Sequence, residues 1–304
     1  MLSNGPERTP AQEQANKLTA LSFHLTLVGD RDPQQPADRT LATDFRNHDV
    51  EQPSGGQAFA TYVLKPADHG APNTPDQRVG TLPARALRLL FAITDGDLTM
   101  MAYPTGGGGD PSARFGSNML EVKNGRVTQM WYSGPTTVDP GAVPLSPPVP
   151  DDLTAWFPAP GDSVGRLAVI VANGSASRAQ RDANKQVVEQ FIRDFFVRGD
   201  TKAAQAVLSP DLKSHVPGVP SGHDFAVVAH KHQDKVVAPD PQQELFALAD
   251  GELVAIGFPV PYAGDAGAWY AQTIVRVRHG RITEWWYSGY PAGHPRRVWK
   301  MPRK

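Results

Sequence analysis

A ten-residue stretch occurs twice, as G-R-V-T-Q-M-W-Y-S-G from Gly125 to Gly134 and as G-R-I-T-E-W-W-Y-S-G from Gly280 to Gly289. At this offset of 155 residues (280 less 125) the likeness runs back without a gap to Phe91 and Phe246, and 17 of the 44 positions compared are identical. That is the mark of an internal duplication. The period is far too long for a solenoid repeat, so each copy is expected to close a core of its own as a whole domain.

The decapeptide reads as a strand opened by a turn, Lys123-Asn124-Gly125 in one copy and Arg278-His279-Gly280 in the other. Strict alternation would put Val127, Gln129, Trp131 and Ser133 on one face, with Ile282, Glu284, Trp286 and Ser288 as their counterparts. Thr128, Met130 and Tyr132, matched by Thr283, Trp285 and Tyr287, would occupy the other. Large apolar groups on both faces require cover on both, so helices are expected over one face and a second sheet or domain against the other. The two copies could supply that second cover to each other.

The rest of the chain fits around these strands. A loose arm is expected over residues 1–10, then an amphipathic helix from Ala11 to Val28, a short helix from Ala37 to Phe45 and a third from Gln57 to Leu64. Strands follow near 85–94, 98–103, 115–122 and 126–133. Pro135, Pro140, Pro144, Pro147, Pro148, Pro150, Pro158 and Pro160 mark a linker over 136–175. Within it Leu167 to Ala172 reads as an extra strand or an arm across the boundary. The second copy repeats the order: helices at 183–197 and 201–208, strands near 243–249, 253–258, 268–277 and 281–288, then a basic tail from 293 to 304. Helices first and strands after argue for two α+β domains, 11–135 and 176–292.

Composition excludes several partners. A net charge of −1 gives no electrostatic reason to expect nucleic acid or an acidic membrane surface. The longest apolar run, Leu167 to Ala172, is far short of the roughly 20 residues that a bilayer core requires, so no membrane partner is expected. The chain has no cysteine, which rules out disulfide and thiolate chemistry. No basic segment followed by an apolar one opens the sequence, so a cytoplasmic location is expected, with periplasm or secretion left open for a chain whose leader has been removed.

Asp211-x-x-x-His215-x-Pro217, Pro220-Ser221-Gly222, the Ala249-Asp250-Gly251 turn and the closing strand Gly280 to Trp286 together resemble the SnoaL-like polyketide cyclase branch of the nuclear transport factor 2-like superfamily. The first copy keeps Asp44 with His48, Pro53-Ser54-Gly55, Asp95-Gly96 and Gly125 to Trp131. The resemblance implies two cone-shaped domains, each with N-terminal helices on a strongly curved, mixed but mostly antiparallel sheet, arranged as a pseudo-dimer within the chain. It implies a small-molecule ligand, largely apolar and carbonyl-bearing, with lyase, isomerase or cyclase chemistry open to the second domain. No metal or organic cofactor is implied, and further homodimer formation is left open.

Within that picture His215 and Glu284 are the candidate catalytic pair. Imidazole suits proton transfer near neutral pH, and a carboxylate beside the Trp286 indole in a dry pocket would have its pKa raised. His48, Trp131, Trp286, Tyr287, Phe225 and Phe258 are the candidate ligand-binding residues. Simpler readings stand beside these: a histidine that caps a helix or bonds its aspartate, and a glutamate paired with Arg276. Two features point away from catalysis. Gln129 cannot titrate where Glu284 can, and Tyr132 and Tyr287 stand where the family often carries aspartate. The rival reading is therefore a non-catalytic binding or assembly protein, and an interior plugged by aromatic rings would decide for it. His223, His230 and His232, the glycine run 106–109 and the triplet Asn173-Gly174-Ser175 carry no assignment.

Overall fold

Both predicted turns form, each with two residues in the left-handed region: Asn124 (φ 52°) and Gly125 (φ 70°), His279 (φ 50°) and Gly280 (φ 72°). Two such residues in succession close a tight hairpin whose twist matches that of its strands. The computed structural model describes residues 5–25, 40–48, 53–64, 89–104, 115–133, 168–171, 176–215, 220–222, 224–225, 245–259 and 270–288. The Pro-rich part of the linker, the glycine run, the three clustered histidines, the Asn173 triplet and the basic tail lie outside them. No helix among the described residues is long and apolar enough to cross a membrane.

The first half runs α1 (Pro10–Leu25), β1 (Leu41–Asn47), α2 (Gly56–Leu64), β2 (Leu89–Asp95), β3 (Leu98–Pro104), β4 (Phe115–Lys123) and β5 (Arg126–Ser133). After β6 (Ala168–Val171), the second runs α3 (Arg178–Ile192, continued by a π-helical turn Arg193–Val197), α4 (Thr201–Ala206), β7 (Leu208–Ser214), β8 (Phe246–Asp250), β9 (Leu253–Pro259), β10 (Tyr270–Arg278) and β11 (Arg281–Ser288). The sheets have the orders β1-β5-β4-β3-β2-β6 and β7-β11-β10-β9-β8, so five strands repeat in the same order. In each sheet the edge strand is parallel to its neighbour and the following hairpins are antiparallel. Each half thus has the α+β build that the resemblance implies, and β6 extends the first sheet as a parallel partner of β2.

Helix starts are set by short polar exchanges. Thr9 accepts from the Gln12 amide while the Gln12 side chain accepts from Thr9 N–H, and Ser177 Oγ accepts from Gln180 N at the start of α3. These satisfy amides that the first turn leaves unpaired. The N-terminal arm is tied down at Arg8, whose guanidinium grips the buried Asp97 carboxylate through two contacts of 2.7 and 3.0 Å.

Two sequence expectations are corrected. The helix expected from Ala37 to Phe45 does not run past Thr40: Leu41 to Phe45 belong to strand β1, residues 37–39 lie outside the described residues, and Leu208, expected to end a helix, opens strand β7. Both strands lie at sheet edges and pair on one side only. Each also slips against its neighbour: Leu41 and Arg46, five apart, face Val127 and Gln129, two apart, and Leu208 and Lys213 repeat this against Ile282 and Glu284. Such a strand carries no period-two pattern, and an edge tolerates Pro210.

A further correction concerns faces. Glu121 and Val122 of β4 face Gln129 and Val127 of β5, and Arg276 and Val277 face Glu284 and Ile282, which leaves Thr128 and Thr283 as extra residues in matching β-bulges. The bulge changes the phase. Val127 packs with Met130 under α1 and α2, whereas Trp131 points to the opposite face; likewise Ile282 packs with Trp285, and Trp286 points away.

The opposite faces of the two sheets meet. Their shared core is built from equivalent pairs at the 155-residue offset: Phe91/Phe246, Ile93/Leu248, Leu98/Leu253, Met100/Ala255, Met119/Ile274 and Trp131/Trp286. One surface used by both partners is the signature of a two-fold interface. Its rim is reciprocal as well. Lys17 reaches Asp250 at 2.5 Å and Lys185 reaches Asp95 at 2.6 Å, while Asp250 accepts from Thr94 N and Asp95 from Ala249 N, both at 3.1 Å. Arg181 donates to both oxygens of Glu13 at 2.9 Å, and Glu13 also accepts from Gly96 N at 3.0 Å.

Candidate functional site

Each edge strand delivers a histidine to the sheet. His48 N donates to Met130 O and His215 N to Trp285 O, both at 2.9 Å, so backbone pairing carries one residue past the strand end. Ser54 and Ser221 help hold the following segments, their hydroxyls accepting from Asn47 N and Ser214 N. Gly55 and Gly222, at φ 92° and 89°, donate back to Phe45 O and Leu212 O. The Pro-Ser-Gly segments therefore position the histidines.

The two histidine environments share one geometry. His215 stacks on Trp286 with ring centres 4.5 Å apart and planes 8° from parallel, and its Nε2 lies 3.3 Å from Glu284 Oε2. His48 stacks on Trp131 at 4.4 Å and 10°, with Nε2 at 2.9 Å from Gln129 Oε1. The amide oxygen can only accept, so His48 carries its proton on Nε2 in that contact. Beyond this point the charges differ. Arg276 Nε donates to Glu284 Oε1 at 2.9 Å, whereas in the first half Gln129 Nε2 donates to Glu121 Oε2 at 2.8 Å.

Glu284 does not have the raised pKa expected beside an indole. The His215 hydrogen bond and the Arg276 guanidinium hold its carboxyl below the ordinary carboxylate range, against the opposing effect of partial burial. It is an anion at neutral pH, paired with the arginine named beside it from sequence. Glu121 is also held low: burial pushes it up, but hydrogen bonds from Lys123, Thr128 and Gln129 outweigh this. His215 does not bond Asp211, which is engaged by the Ser209 hydroxyl instead.

A depressed folded-state pKa means that Glu284 contributes stability above the ordinary carboxylate range and loses it as pH falls through the folded value. Glu284→Gln is therefore expected to cost under about 1 kcal/mol at neutral pH, given the partial exposure of the pair. Part of the acid-side decline in stability should vanish with it. Denaturant midpoints measured from neutral to acid pH check this, and parallel wild-type and variant curves would contradict it.

The candidate residues do not converge on one site. Trp286, Trp131, His215, His48 and Glu284 belong to the sheet face that meets the other half, and Trp286 packs edge-on against Phe91 across the seam at 5.0 Å. The expectation that Trp286 walls a pocket with His215 and Glu284 is thus corrected to an interdomain position, because the bulge at Thr283 reverses the phase. Phe225 and Phe258 lie on the other face, beneath α3, with Phe191, Phe195 and Trp285. There Phe225 meets Trp285 edge-on at 4.3 Å, and Phe191 stacks with Phe195 at 5.3 Å. The Tyr287 side chain lies outside the described residues. Sequence reading did not single out Thr273, whose hydroxyl is fully buried on the Val275 face with no hydrogen-bond partner among the described residues.

Solved structures similar to this chain include nuclear transport factor 2-like proteins. One such protein from Burkholderia xenovorans is 22% identical over 35% of this chain and 88% of its own, with a TM-score of 0.25. A putative ketosteroid isomerase from Kribbella flavida is 12% identical over 41% of this chain and 92% of its own, with a TM-score of 0.28. A putative polyketide cyclase from Sinorhizobium meliloti is 18% identical over 34% and 94%, with a TM-score of 0.26. No protein-family model and no curated protein matches.

Proposed function

We propose that this chain is a non-catalytic binding or assembly protein, a tandem SnoaL-like scaffold in which duplication gives each domain a permanent partner. The observation that carries this reading is that the histidine–tryptophan unit is built twice, once with Glu284 and once with Gln129. Stack and hydrogen bond survive where no proton can be exchanged, so the unit works as a fastener for the edge strand. The rings of Phe191, Phe195, Phe225 and Trp285 also occupy the face that a ligand would use.

One observation favours a second reading, a pocket for a small apolar molecule with a carbonyl group. Thr273 presents an unpaired hydroxyl to the helix-covered side of the second sheet, and a carbonyl oxygen would satisfy it. Under that reading His215 and Glu284 would act in acid–base chemistry only if the substrate reached the opposite face of the sheet.

Native mass spectrometry of freshly purified protein, with Thr273→Val alongside, separates the two. The scaffold reading expects the mass of the polypeptide and no retained carbonyl compound. It also expects the variant to be more stable by up to about 1 kcal/mol, since a buried hydroxyl without a partner is a cost. A carbonyl compound retained by the wild type and absent from the variant would shift the conclusion to the pocket.

A further inference from the structure

Glu13 and Arg181 occupy the same position in their halves, as do Lys17 and Lys185 (181 less 13 equals 185 less 17). Across a two-fold interface, equivalent residues near the axis face each other. Here they meet as an acid and a base at 2.9 Å. We propose that this pair decides which sheet faces join: each face accepts one of opposite charge at that position, here the other half of the same chain, and refuses a copy of itself.

Apart from the long, exposed Arg178–Glu7 pair at 3.9 Å, which is worth little, the remaining rim contacts would not discriminate. Lysine to aspartate, and aspartate to backbone amide, are the same exchange from either side, so two copies of either half could make them. Only the Glu13 position differs in sign. In the observed pairing three acids, Glu13, Asp95 and Asp250, balance three bases, Lys17, Lys185 and Arg181. Two first halves would hold four acids against two lysines. Two second halves would hold four bases against two aspartates. These side chains are only 4–15% exposed, so the surplus charge would be poorly hydrated and unpaired. The apolar core beneath, made of matched pairs, is equally self-compatible and cannot replace this selection.

The test uses two full-length charge reversals, Glu13→Arg and Arg181→Glu. Each gives both of its own halves the same sign, and each alone is expected to lower Tm by about 5 °C or more. Refolded together at high protein concentration, the two variants are expected to form a one-to-one mixed dimer, seen by native mass spectrometry, with Tm recovered toward wild type. Residues 134–167 lie between β5 and β6, a length that lets halves exchange between chains. The double variant Glu13→Arg/Arg181→Glu should fold alone, as the wild type does, with a Tm near the wild-type value. The proposal is overturned if either single variant melts with the wild type. It also fails if the mixed pair associates no better than each variant with itself, or if the double variant is no more stable than the worse single one.

Discussion

Trp286→Ala is expected to destabilise the protein by about 3–5 kcal/mol, the range for removing a large aromatic side chain from a packed core. The indole is fully buried. One face stacks on His215 and Phe91 of the other half packs edge-on against it, so the change opens a cavity that reaches two layers of the fold. Its Nε1–H has no hydrogen-bond acceptor among the described residues, so the loss comes from packing and not from a broken polar contact. Denaturant unfolding measures the total. A double-variant cycle with Phe91→Ala should add a coupling of about 0.5–1.5 kcal/mol across the seam. A total loss below about 1 kcal/mol would mean that the two sheets do not share this core.

That expectation needs the face of Trp286, which sequence alone assigned to the wrong company. The hairpins were legible because Asn124-Gly125 and His279-Gly280 mark left-handed turns and the flanking strands carry apolar residues throughout. The core helix α3 was legible because Val187, Val188, Phe191, Ile192 and Phe195 keep a helical spacing. The bulge was not, since Thr128 and Thr283 read as ordinary strand residues; only the pairing with β4 and β10 shows them as extra. With the phase shifted, residues read as a pocket wall became the interdomain core.

The edge strands were hidden for a related reason. Pairing on one side and slipping in register, Leu41–Asn47 and Leu208–Ser214 need no alternation, and a tertiary partner supplies what local propensity lacks. The pKa of Glu284 was hidden too, because it depends on where Arg276 and His215 arrive and not on the neighbouring indole. The histidines themselves were identified correctly as equivalent. What the pattern could not supply was their role, which becomes apparent only when Gln129 and Glu284 are found making the same contact.

Lys17→Met should be the most damaging single change at the rim, with an expected loss of about 3–5 kcal/mol from leaving a buried carboxylate without its cation. Burial already pushes the Asp250 carboxyl above the ordinary range, against the opposing effects of Lys17 and the Thr94 amide. Without Lys17 it rises further, so the charged form is penalised above that folded value. The penalty disappears once pH falls far enough for the unfolded chain to bind the same proton. The gap between wild type and variant should therefore narrow on acidification, which denaturant midpoints at neutral and acid pH will show. Lys185→Met is the internal control. Its partner Asp95 keeps Arg181 at 3.9 Å, so the second lysine should cost less than the first although the two occupy equivalent positions. Equal losses, or a gap that widens in acid, would mean that Asp250 does not depend on Lys17 for its charge.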